Sequence, residues 1–149
     1  MKISTKGRYA LEAVLDLAVY SEVELESLNN ISERLQISKN YLEQLFSVLR
    51  KKEIVASVRG AQGGYKLARS SKQITAGEVI RAVEGPLSPV SCIDEGKCNN
   101  TGEYKECVTR LLWQKMMDEI NRAADGVTIN DLVQSYGKMK KKDAIEYFI

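Results

Sequence analysis

Apolar residues recur at helical spacing along most of this chain and at strand spacing in one short central region. Ala10, Ala13, Val14, Leu17 and Ala18 follow the i, i+3, i+4, i+7, i+8 pattern. They predict a first helix, capped by Ser4 or Thr5 and ending near Ser21. An acidic linker, Glu22–Glu26, leads to a short helix over about Asn30–Leu35, with Ile31 and Leu35 inward. Gln36-Ile37 makes a turn, and Ser38 caps a third helix whose buried stripe is Leu42, Leu45, Phe46 and Leu49. Ile54–Val58 and Tyr65–Leu67 read as a hairpin around Arg59-Gly60-Ala61-Gln62-Gly63-Gly64. Thr75-Ala76-Gly77-Glu78 is a capping box that opens a helix through about Val83, stopped by Gly85-Pro86 and Pro89. Residues 86–104 read as a polar loop. A long helix over about Tyr104–Ala124 is apolar on two sides, through Val108, Leu112, Met116 and Ile120 and through Trp113, Met117 and Ala124. Such a helix needs two surfaces to rest on: its own domain and the same helix of a second subunit. Thr128-Ile129-Asn130-Asp131 caps a last short helix, and the tail Lys138–Ile149 is basic, then acidic and aromatic.

The order helix, turn, helix, hairpin predicts a mainly α protein: a winged helix-turn-helix with a small two-stranded β wing, plus a long C-terminal dimerisation helix. Residues 1–84 would be the DNA-binding domain, 85–107 a cysteine-bearing sensor loop, and 104–149 the dimerisation helix, short helix and tail. With the Leu/Phe stripe buried, the third helix turns Ser38, Lys39, Asn40, Tyr41, Glu43 and Gln44 outward. These groups hydrogen-bond phosphates and base edges: glutamine reads adenine in bidentate fashion, and glutamate accepts from the cytosine amino group. Arg50 and Lys51 are phosphate anchors in this reading, although basic residues also suit the C-terminal end of any helix. Arg59, with Gly60 beside it on a thin hairpin, fits a narrow minor groove.

Bulk charge adds little, since the net charge is only +2. Its distribution is uneven: residues 1–69 hold 11 Lys+Arg against 8 Asp+Glu, and residues 70–149 hold 11 against 12. No apolar run approaches membrane-spanning length and the N-terminus has no signal-peptide cleavage pattern, so a cytoplasmic location is expected. The three cysteines, Cys92, Cys98 and Cys107, are then reduced, and an odd number cannot pair off within one chain. Their C-x5-C-x8-C spacing in a polar segment suits an iron–sulfur cluster or zinc better than burial in a core. With no histidine in the chain, a fourth donor must be a carboxylate, another thiolate, water or a group from a second subunit. No nucleophile–base pair and no phosphate-cradling glycine loop between strand and helix is present, which argues against an enzyme. A cluster-carrying redox or scaffold protein, and a zinc-stabilised structural dimer, are the alternatives of another class.

The stretches MKISTKGRYAL, ISERLQISKNYLEQLFSVLRKKEIVASVRG, GGYKL and ITAGEVIRAVEGPLSPV, with the three cysteines ahead of the long helix, resemble the winged-helix repressors of the Rrf2 family. The resemblance implies a homodimer on a near-palindromic operator in double-stranded DNA, with Tyr41, Glu43 and Gln44 reading bases and Arg59 entering the minor groove. In the iron–sulfur branch of the family, three cysteines at the positions of Cys92, Cys98 and Cys107 hold a 2Fe-2S or 4Fe-4S cluster. That branch completes its ligand set with a histidine, here Arg110, or with a carboxylate of the partner's first helix, here Arg8. Glu12, one turn further along, is the nearest carboxylate to that position. The cysteine-metabolism branch lacks the cluster cysteines but shares EGPLSPV and an aromatic–isoleucine ending, here Phe148-Ile149. It implies a second partner, cysteine synthase, reached through Ile149.

Overall fold

The computed structural model describes residues 1–94 and 104–148. Three helices come first: α1 (Thr5–Tyr20), α2 (Leu28–Leu35) and α3 (Lys39–Lys51). The antiparallel strands β1 (Val55–Val58) and β2 (Gly64–Leu67) follow, pairing Val55 with Leu67 and Val58 with Gly64. Helices α4 (Ala76–Glu84), α5 (Ser91–Asp94), α6 (Tyr104–Asp125) and α7 (Ile129–Phe148) complete the order.

Local chemistry starts most of these helices. Ser4, Ser27, Ser38 and Thr75 each accept a backbone N–H from the third residue on, satisfying a donor the helix leaves open. Glu78 returns the bond to the Thr75 N–H, closing the predicted capping box. Thr128 and Asp131 exchange the same pair of bonds at 3.0 and 2.9 Å at the start of α7. Gln36, in the left-handed region at φ 56°, ends α2 and sets up the tight turn into α3.

The apolar stripes meet in one core. Leu17, Ile31, Leu42, Leu45, Phe46, Leu49, Ile54, Ile74 and Val79 are essentially sealed from solvent, as is Ile129 in the first turn of α7. The Tyr65 ring stands edge-on to Phe46 with centroids 4.9 Å apart, fixing the wing to α3. The start of α1 is held by a residue from the far end of the head. Glu84 Oε1 accepts from the backbone N–H groups of Ser4 (2.6 Å) and Gly7 (3.2 Å) and from the Ser4 hydroxyl. A Cβ on Gly7 would come within 2.5 Å of that oxygen.

The structure departs from the sequence reading in four places. Helix α2 begins at Leu28 because Ser27, not a residue nearer Asn30, supplies the cap. The acidic linker is not free: Glu26 is buried and its backbone pairs with Tyr65 of β2, as donor at 2.9 Å and acceptor at 2.7 Å. The last helix is long rather than short: it continues through Gly137 into a lysine-rich stretch of good helix propensity, with no proline to stop it. The segment read as a loop carries the short α5, which packs against α6.

Candidate nucleic-acid interface

Helix α3 turns Lys39, Asn40, Glu43 and Gln44 to solvent, as its apolar period requires, while Leu42, Leu45, Phe46 and Leu49 face the core. Asn40, Glu43, Gln44 and Ser47 line one shallow concavity, a row of donors and acceptors on a single helix face. Two predicted readers are partly committed within the protein. The Ser38 hydroxyl accepts the Tyr41 N–H at 3.2 Å, so its acceptor serves the helix cap. Tyr41 is half-buried, its ring edge-on to Tyr9 with centroids 5.9 Å apart.

Arg50 and Lys51 are exposed at the C-terminal end of α3. Arg50 Nη1 donates to Ser57 Oγ of β1 at 3.4 Å, a link that ties the outer face of α3 to the wing. Ser57 was not singled out from the sequence; its place across from α3 follows from strand pairing, which no local pattern announces. Arg59 and Gly60 are exposed at the wing tip. Gly60 has φ +119°, a conformation that side chains disfavour, and a Cβ on Gly63 would lie 2.1 Å from the Val58 carbonyl oxygen. The glycines thus make the hairpin thin beside Arg59.

The wing has a second anchor. The Glu26 carboxylate accepts from the Ser27 N–H (2.9 Å) and Asn30 Nδ2 (2.7 Å) and lies 3.3 Å from Arg34 Nη2. Arg34 also donates to both carboxylate oxygens of Asp16, at 2.7 to 3.1 Å. The Asp16 contact, set against the opposing effect of burial, raises the Arg34 pKa.

Cys92 lies in α5 and Cys107 in the first turn of α6, and these two helices touch. Cys98, the side chains of Cys92 and Cys107, and the terminal Ile149 lie outside the described residues. Among the described residues, no group of three or more histidine, cysteine or carboxylate side chains is gathered as a metal site. Arg8 and Glu12 are exposed on α1, and Arg110 is half-buried on α6.

Helix α6 reaches the head through α4. Arg81 donates to Asn121 Oδ1 at 2.8 Å and to Asp125 Oδ1 at 2.6 Å, and the Thr75 hydroxyl donates to the same Asp125 oxygen at 3.1 Å. Arg81 holds the Asp125 carboxyl below the usual range. The opposite side of α6 is uncovered: Val108, Leu111, Leu112 and Met116 are 63, 75, 53 and 40% exposed. Leu111 was not assigned to the outward stripe from its spacing.

The model of the Rrf2 family, described as an iron-dependent transcriptional regulator, matches residues 3–135. This chain belongs to the Rrf2 family. It is 43% identical over 135 residues to the HTH-type transcriptional regulator IscR of Cronobacter sakazakii, across 91% of this chain and 82% of that protein. Identity to IscR of Escherichia coli is 42% over the same length. Among solved structures it resembles CymR, the global cysteine regulator of B. subtilis, with TM-score 0.75 and 39% identity over 91% of this chain and 98% of that one. IscR of T. potens superposes with TM-score 0.72 at 40% identity, covering 91% and 88% of the two chains. The protein is thus an Rrf2-type transcriptional regulator, a family membership that implies DNA binding, and these relatives are regulators rather than enzymes. No helix among the described residues is long and apolar enough to cross a membrane.

Proposed function

We propose that this Rrf2 regulator acts as a homodimeric repressor on a near-palindromic operator, with residues 1–84 as the reading head and 104–149 as the pairing arm. The observation that carries the reading is the exposed polar face of α3 bonded through Arg50 to a thin wing ending in Arg59. In this arrangement Lys39, Asn40, Glu43 and Gln44 meet base edges and phosphates in the major groove, with Tyr41 beside them. Ser38 holds the helix start toward the backbone, Arg50 and Lys51 anchor phosphates, and Arg59, freed by Gly60, enters the minor groove. The open apolar side of α6 supplies the surface for a second copy.

Sensing falls to the cysteines. Three thiolates at Cys92, Cys98 and Cys107 make a donor set that suits an iron–sulfur cluster, with a fourth donor that is not histidine. When bound, the cluster would supply redox- and iron-sensitive occupancy next to α6. The contact between α5 and α6, and the likeness to proteins named IscR, support this reading.

The test uses full-length protein purified without oxygen and a panel of palindromic duplexes. Binding to one duplex should be specific and steeply salt-dependent. Arg59→Ala should weaken it roughly tenfold and lower the salt slope by about one. Unchanged affinity and slope would remove the wing from the interface. Visible absorption of the same preparation reports the cluster, and Cys92→Ala should abolish it; a colourless protein containing zinc would reject the cluster.

A further inference from the structure

Away from the α3 face and the cysteines, α1, α2 and α7 border a half-open cavity of about 400 Å³. Leu15, Val19 and Leu35 form its apolar wall, and Glu12, Tyr20 and Tyr136 its polar edge. The chemistry of that edge is one-sided. Arg34 is the cation in the wall, and its charge is already met: Asp16 takes two of its donors, Glu26 lies 3.3 Å away, and the guanidinium sits 3.9 Å over the Tyr20 ring. Two carboxylates against one guanidinium leave that cluster net negative. Glu12 adds a third carboxylate, exposed and with no ion-pair partner among the described residues. Two further cations stand outside the lining: Lys140, 5.6 Å from the Tyr136 ring, and Arg8, exposed one turn before Glu12 on α1. Tyr20 of α1 and Tyr136 of α7 face the cavity from its two sides. The cavity therefore offers aliphatic and aromatic walls, a free carboxylate, and no uncommitted positive group in its wall to receive an anion.

We propose that this cavity binds a small organic cation with an apolar body, such as a primary amine, its charged head at Glu12 and its body against Leu15, Val19 and Leu35. Its wall connects to the reading surface by contiguous bonds. Arg34 meets the Glu26 carboxylate, the Glu26 backbone pairs with Tyr65 of β2, and the Tyr65 ring stands against Phe46 of α3. Occupancy thereby acts on the base of the wing; this coupling rests on the regulator reading above, whereas the binding itself does not. Glu12 then has a role on its own subunit, distinct from that of a fourth cluster ligand for a partner.

Full-length protein is titrated with phenethylamine, with 3-phenylpropionate as the anionic counterpart, and followed by thermal shift and by backbone amide resonances. Phenethylamine should give a saturable rise in Tm, with resonance shifts centred on α1 and α7; 3-phenylpropionate should give neither. Glu12→Gln, a change at an exposed position, should weaken amine binding at least about tenfold. Absence of a saturable response, an equal response to the acid, or unchanged binding by Glu12→Gln overturns the proposal. So does a response that fades as protein concentration rises, which would mark the cavity as a contact between copies. These measurements contain no DNA, so their failure leaves the regulator reading standing. Failure of operator binding with amine binding intact does the reverse.

Discussion

The head and the arm of this protein handle the same kind of residue in opposite ways. In the head, the large apolar side chains of α1 to α4 and β1 converge, and Leu17, Ile31, Leu42 and Phe46 have no solvent-accessible surface. In the arm, Val108, Leu111, Leu112 and Met116 stand 40 to 75% exposed along one side of α6. Both regions are helical and both follow helical periodicity. The difference teaches that periodicity reports an apolar face without saying which molecule covers it. The head finishes its core within one chain; the arm presents a face that only another surface can finish.

The first way to break this contrast is to damage the head. Phe46→Ala removes a sealed ring that packs against Tyr65 and should cost about 3–5 kcal/mol, read from urea or thermal unfolding. Such a loss is a large part of what holds a small domain together. A cost under about 1 kcal/mol would mean that the head is not the self-sufficient core described here.

The arm should respond differently. Leu111→Glu together with Leu112→Glu leaves the head core untouched, so Tm of the head should move little. If α6 pairs with a second copy, each lost leucine removes about 1.5–3 kcal/mol of association, and sedimentation should show dimer giving way to monomer. A variant that remains dimeric would place the subunit contact elsewhere. A variant that unfolds would erase the distinction between the two regions.

The smallest effect lies at the joint between them. Arg81 holds the Asp125 carboxyl below its usual range, chiefly through their hydrogen bond. A carboxyl with a lowered folded pKa adds stability above its unfolded value and loses it as pH falls through the lowered one. The Tm difference between the wild type and Asp125→Asn should therefore be present near neutral pH and shrink below the ordinary carboxylate range. A difference that does not change with pH would show that this charge pair does not fasten α6 to α4.

The same contrast explains what was legible in the chain. Caps at Ser4, Ser38 and Thr75 and the stripes of α1 and α3 are local signals, and the structure reproduces them. The thin wing beside Arg59 was readable from its glycines for the same reason. Glu26 was not: it sits in an acidic run, and its burial is decided by Tyr65, Asn30 and Arg34, partners brought in from other elements. The length of α7 was hidden by a tail of exposed charged residues that shows no buried face. The cavity beside Glu12 exists because α7 lies along α1, a placement fixed by Ile129, whose N–H bonds the Ile74 carbonyl at 2.8 Å.

The Glu84 carboxylate closes the first turn of α1 and is the last residue of α4 before the chain leaves toward the cysteines. One carboxylate thus fastens the amino end of the polypeptide to the place where the chain leaves the head, eighty positions away in sequence. For anyone handling the protein, a purification tag fused ahead of Met1 would crowd this strut, and a bulkier residue at position 7 would pry it open.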